Sequence, residues 1–154
     1  ITHLIAAAEA MSSAIGVLQP EILKTKAKLK SLGKVVLGTV TGDIHDIGKN
    51  LVACMLTAAG FEVYDVGKDA PPEAFIQKAR EVDADVIGAS ALMTVTTPEQ
   101  KELADAIAKA GLKTKYIVGG AAVTEEFAKE IGAAYAEDAT TAVEVIKKIV
   151  GAKK

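Results

Sequence analysis

Five short aliphatic runs punctuate the chain. They are KVVLGTV (34–40), FEVYDV (61–66), DVIGASA (85–91), KYIVGG (115–120) and AYA (134–136). Each is too short for a stable helix, and the first four are rich in β-branched or aromatic residues, so the pattern predicts buried strands. Between them lie longer amphipathic stretches with helical punctuation. One runs over 46–59 and stops at Gly60, and one opens at Pro71-Pro72 and ends near Val82. A third starts at Pro98 and closes at Gly111, and a fourth is capped by Thr124 and runs to Ile131. The last spans 140–150. Prolines at helix starts and glycines just past helix ends are the expected markers.

Five strand-then-helix alternations in sequence predict a doubly wound, Rossmann-like α/β domain with a parallel sheet. Right-handed crossovers make 2-1-3-4-5, the flavodoxin-like order, the leading expectation. Ahead of it, Leu4, Ala8, Met11, Ile15 and Leu18 recur at steps of three and four, one face of a helix. Pro20 opens a second helical stretch, and Gly33 ends it. The expected division is therefore a helical segment over 1–33 and an α/β domain over 34–154. The chain starts at Ile1 already in a helical pattern, so the helical segment is expected to be the last part of a larger one.

Composition narrows the classes. The chain has 154 residues, half of them hydrophobic but only 4% aromatic. Eighteen basic residues face twenty acidic ones, a net charge of −2. That balance gives no electrostatic footprint for nucleic acid, and few rings on which bases could stack. A single cysteine, Cys54, excludes a disulfide or a cysteine zinc site within one chain. No apolar run approaches the roughly 20 residues needed to cross a bilayer. A cytoplasmic location is expected.

In order 2-1-3-4-5, ligands bind beyond the carboxyl ends of the strands, between the first and third. The loops that converge there are TGDIHD after strand one and SALMT, 90–94, after strand three. Gly38 and Gly88 interrupt those two strands, and glycine inside a strand often marks close approach by a ligand or another backbone. Together they suggest a slender ligand running down the sheet. A nucleotide triphosphate is a poor fit. Five residues, not four, separate Gly42 from Gly48, and Asn50 stands where a Walker loop has Ser or Thr. A response-regulator receiver would need an acidic cluster, and strand three ends in Ser90 instead.

Asp43-Ile44-His45-Asp46-Ile47-Gly48 matches the DxHxxG motif of cobalamin-binding domains. Ser90-Ala91-Leu92 matches their SxL motif, and Gly119-Gly120 their GG motif. The chain resembles the corrinoid proteins of anaerobic methyltransferase systems and the cobalamin module of methionine synthase. This resemblance implies a cobalamin or related corrinoid, bound with its own benzimidazole displaced from cobalt. His45 would be the lower axial ligand, and Asp43 would hydrogen-bond the other ring nitrogen, setting its tautomer. A hydroxyl residue extends that pair in methionine synthase; the matching position is Thr96, with Val95 where that enzyme has Pro. Gly42, Ile44, Asp46, Ile47, Gly48, Leu92, Gly119 and Gly120 would line the corrinoid site. Ser90, Thr94, Tyr135 and Ala139 would contact its nucleotide tail, and Met11 could reach the upper face from a helical cap.

The implied function is a methyl carrier. Cobalt(I) accepts a methyl group from a substrate-specific methyltransferase, and methylcobalamin delivers it to a second methyltransferase acting on tetrahydrofolate or coenzyme M, with a reductive activator as a further partner. Such a chain is a component of a methyltransferase system rather than a complete enzyme. Two alternatives use the same motif: the small subunit of an adenosylcobalamin-dependent mutase, and a cobalamin-binding sensor.

Overall fold

The computed structural model describes residues 31–151, together with Ala10, Ser13, Ala14, residues 16–18, Pro20 and Glu21, all eight of which are helical. Met11, Leu4, Ala8 and Ile15 of the expected helical face lie outside the described residues. Leu18, from that same face, is 53% exposed.

From residue 34 onward the chain alternates as β1 (Lys34–Thr39), α1 (Ile47–Ala59), β2 (Glu62–Asp65), α2 (Pro72–Val82), β3 (Val86–Ser90), α3 (Thr97–Lys109), β4 (Lys115–Gly119), α4 (Glu125–Glu130), β5 (Ala134–Tyr135) and α5 (Ala139–Ile149). All four strand pairings are parallel, in the order β2-β1-β3-β4-β5. The expected topology is the one observed. Several strands are one residue shorter at an end than the aliphatic runs that predicted them. At Val40 the run leaves the sheet as a single bridge to Ala70.

The sheet separates two cores. On one face, Val36, Ile87 and Val118 pack against Phe75 and Ala79 of α2, Leu103 and Ile107 of α3, and Ala128 of α4. On the other, Val35, Leu37, Val86 and Ile117 pack against Ala53 and Leu56 of α1 and Val143 and Ile146 of α5. The side-chain period of two sends neighbouring strand residues to opposite cores. It also separates the two strand glycines, which the sequence pattern alone made look equivalent. A Cβ on Gly38 would lie 2.5 Å from both the Phe75 ring and Val66, so this glycine makes room for α2. Gly88 faces the other way, toward α1 and α5, where a Cβ would meet Leu37 at 2.5 Å. Each glycine thus makes room for a side chain, Gly38 for Phe75 on one face and Gly88 for Leu37 on the other.

Phe75 is fully buried and has nowhere to retreat. Gly38→Ala should therefore destabilise the domain by about 1–3 kcal/mol through overpacking. A lower urea midpoint at an unchanged denaturant slope would show it.

Candidate corrinoid site

The site forms where β1 and β3 end and their loops diverge. The loop after β1 is bolted down along its length. Thr39 Oγ1 donates to the His45 carbonyl at 3.0 Å, and Thr41 Oγ1 to the Ala70 carbonyl at 3.2 Å. Gly42 N–H donates to Asp69 Oδ1 at 2.7 Å, and Asp69 N–H to the Asp43 carbonyl at 2.9 Å. Asp69 adopts a positive φ of 50°, a conformation its short polar side chain tolerates better than most.

Asp43 is fully buried. Its Oδ1 accepts from the His45 backbone N–H at 3.0 Å and pairs with His45 Nδ1 at 2.7 Å. Its Oδ2 accepts from Leu92 N–H and from Thr96 Oγ1, both at 2.7 Å. Burial pushes the carboxyl pKa up. Hydrogen bonds from Thr96, from the His45 backbone and ring, and from Leu92 outweigh it and hold the group well below the usual carboxylate range. Asp43 is thus ionised and can only accept, so Nδ1 of His45 carries the proton of that bond. In the neutral ring Nε2 is then the lone-pair nitrogen, and among the described residues no hydrogen bond engages it. The His45 side chain is 46% exposed.

Around that ring stand apolar side chains turned to solvent: Ile44 at 65%, Ile47 at 56% and Leu92 at 42%. Beside it a cleft of about 550 Å³ descends between α1 and α5 along β1, β3 and β4. Ile44, His45, Asp46, Ile47 and Gly48 line its mouth together with Leu92. Ser90, Gly119, Gly120 and Ala139 also line it. Gly120 has φ +127°, and a Cβ there would fall 1.9 Å from the Ala91 carbonyl oxygen, so the two loops touch backbone to backbone.

The remaining predicted residues fall elsewhere. Asp43 and Thr96 lie outside the lining, Asp43 bonded to His45 and Thr96 to Asp43. Gly42 and the exposed Thr94 are outside the lining. Tyr135 corrects the sequence reading: it packs against the core on the opposite face of the sheet, while its neighbours Ala136, Glu137 and Asp138 line the cleft. A two-residue strand ending at Tyr135 turns its ring away from the side that the following loop faces.

Three groups escaped the sequence reading. Leu37, Val52, Ile117, Ala142 and Ile146 form the deeper walls of the cleft, and in sequence they are indistinguishable from core. Lys49 is 5% exposed, ion-paired with Asp65 and bonded to Asn50 Oδ1 at 2.8 Å, which braces the first turn of α1 against β2. A lysine on an amphipathic helix ordinarily predicts a solvated side chain. Gln100, fully buried, donates through Nε2 to the carbonyls of Ala89 at 3.0 Å and Gly119 at 3.1 Å, joining β3 to β4 just below the cleft mouth.

The donor set tests what could bind. Among the described residues, no group of three or more His, Cys, Asp or Glu side chains could hold a metal ion. A single imidazole cannot retain a free cation, but it suits a metal whose other positions a macrocycle already fills. The exposed apolar ring around His45 offers that macrocycle a surface, and the cleft offers room for an appended group. These residues fit a corrinoid.

Residues 33–146 match the B12 binding domain family. The chain belongs to that family. It is 49% identical over 153 residues to trimethylamine corrinoid protein 2 of Methanosarcina acetivorans, covering 97% of this chain and 70% of that protein. The monomethylamine corrinoid protein of Methanosarcina barkeri superimposes with a TM-score of 0.79 at 36% identity, over 97% of this chain and 71% of the other. The methanol:cobalamin methyltransferase complex of the same organism gives 0.78 at 30% identity, over 100% of this chain and 59% of that one. The chain binds a corrinoid, and among the described residues no helix is long and apolar enough to cross a membrane.

Two outcomes follow from the Asp43 network. The folded pKa of Asp43 lies below its unfolded value, so its contribution to stability is complete above about pH 4 and is lost as pH falls beneath that. Urea midpoints measured between about pH 5 and pH 3 should fall more steeply for the wild type than for Asp43→Asn. Thr96→Val, which keeps the shape but removes one donor, should cost about 1–2 kcal/mol at neutral pH in the same assay.

Proposed function

We propose that this chain carries a methyl group on a corrinoid, with His45 Nε2 as the lower ligand of cobalt. A substrate-specific methyltransferase loads the carrier, and a second methyltransferase, acting on tetrahydrofolate or coenzyme M, unloads it. The observation that carries this reading is a single imidazole, tied through Nδ1 to a buried carboxylate, standing among exposed Ile44, Ile47 and Leu92 at the mouth of a cleft.

The bound corrinoid supplies the cobalt on which a methyl group rests between donor and acceptor. The protein's own residues do the rest. Asp43 fixes the tautomer that presents Nε2; Thr96 and Leu92 fix Asp43. A corrinoid held there would take Nε2 of His45 as the protein's donor to its metal. The apolar rim around His45 would shield a bound corrinoid from water. Ser90, Gly119, Gly120 and Ala139 make the entrance through which the nucleotide tail enters the cleft.

Residues 1–33 are proposed to belong to a helical cap, with Met11 toward the upper face. A reductive activator is a further proposed partner, and the cytoplasm the proposed location. The trimethylamine relative makes a methylamine the first donor to test, with donor choice residing in the loading methyltransferase.

Protein reconstituted with cobalamin should show a base-off spectrum with a histidine ligand, and His45→Ala should lose that ligand signature while still folding. An unchanged visible spectrum in His45→Ala would overturn the ligand assignment. Isolation of the corrinoid with an adenosyl rather than a methyl upper group would overturn the carrier reading.

A further inference from the structure

We propose that Lys49 is a positioning residue for His45: its ion pair with Asp65 sets how firmly the imidazole holds a metal. This rests on the reading above, in which His45 Nε2 is the ligand. The chain around His45 is anchored at few places. Residues 44–48 are all exposed or half-buried, and a Cβ on Gly48 would meet nothing within 4 Å. Asp46 makes no side-chain cap at the start of α1, and no acidic residue stands in the first turn. The imidazole therefore sits between two buried residues, Asp43 before it and Lys49 after it. Both are charged.

Asp43 fixes the ring. Lys49 fixes the backbone that carries the ring, through a closed circuit of bonds. Its ammonium pairs with Asp65 at the end of β2, beside Leu37 in the register. Asp65 Oδ1 accepts from Gly67 N–H at 2.8 Å. The Gly67 carbonyl accepts from Thr39 N–H at 2.9 Å. Thr39 Oγ1 donates to the His45 carbonyl at 3.0 Å. The chain from His45 into α1 leads back to Lys49 and completes the circuit. Without the ion pair the circuit opens, and the start of α1 gains slack against β2. Metal–nitrogen bonds hold their length to about 0.2 Å, so slack in the His45 peptide weakens the ligand even while Asp43 still bonds the ring.

The two partners are unequally buried. The Lys49 side chain is 3% exposed and that of Asp65 39%. Lys49→Met leaves a carboxylate that water can reach, so the fold should survive. Asp65→Asn keeps an acceptor for Gly67 but leaves a buried ammonium without its counter-ion, which costs more stability. Lys49→Met is therefore the primary variant.

The test uses protein whose histidines are enriched in the heavy nitrogen isotope, loaded with cobalamin reduced to cobalt(II). In the electron paramagnetic resonance spectrum a heavy axial nitrogen splits each cobalt line into a doublet, and an ordinary one into a triplet. Unlabelled imidazole, titrated in, displaces His45 and turns doublet into triplet. The signal comes from loaded protein alone, so a change in cobalamin loading through the cleft, which Lys49 also lines, does not move the midpoint. Lys49→Met should reach its midpoint at about tenfold less imidazole than the wild type. Adding Asp65→Asn to Lys49→Met should move that midpoint by less than about twofold, because both changes cut the same bond. Equal midpoints in the wild type and Lys49→Met, even beside a lower urea midpoint, would overturn the proposal and leave Lys49 a brace for the fold alone. A further full drop in the double variant would overturn it too, since the pair would not be the contact that acts. A wild type with no doublet would instead overturn the ligand assignment on which the proposal rests.

Discussion

A buried carboxylate organises this molecule. Asp43 accepts from His45 twice, from Leu92 and from Thr96, so one ion ties the end of β1, the loop after β3 and the start of α3 into a single unit. An unpaired carboxylate at full burial would be costly, and the donors convert that cost into a constraint on geometry. None of the three segments can shift without leaving the charge underserved. The position of the imidazole, the tautomer it presents and the level of the Leu92 rim all derive from that one constraint.

The two faces of the sheet divide the labour. On one, α2, α3 and α4 close over a continuous core, with Gly38 giving space to the Phe75 ring. On the other, α1 and α5 leave a cleft between them, with Gly88 beneath it. The same device, a missing side chain on a central strand, gives space to the Phe75 ring on one face and to Leu37 on the other. Parity along the strand decides which. The Lys49–Asp65 pair and the Gln100 bridge sit at the margins of the cleft, holding α1 to β2 and β3 to β4 while its walls stay apart.

Much of this was legible in the sequence. The strand order followed from alternation and handedness, because those rules leave few topologies open. Asp43 and His45 could be picked out because polar residues in loops at a switch point have few packing reasons to be there, whereas Thr96 came from the resemblance to methionine synthase. The deep walls could not. Leu37, Val52, Ile117, Ala142 and Ile146 obey the same hydrophobic periodicity whether they meet another side chain or a ligand. Tyr135 shows the opposite failure: a residue beside the right loop in sequence turns to the wrong face, because side chains in a strand alternate sides. The burial of Lys49 depends on Asp65, sixteen positions away, and no local pattern announces such a partner.

The loop that holds His45 is fixed by its backbone, through Thr39 to the His45 carbonyl and through Asp69 to Gly42 and Asp43. Among the described residues, the ring itself makes one side-chain hydrogen bond, at Nδ1. Stiffness and freedom therefore meet within a single residue. Rearranging the loop would break several bonds at once and belongs to the slower motions of a protein. Turning the imidazole about its own torsions breaks one and falls among side-chain motions, which run as fast as nanoseconds or less. Any change at Nε2 is then a matter of a few rotatable bonds on a fixed mount, quick and reversible, with the rest of the fold left undisturbed.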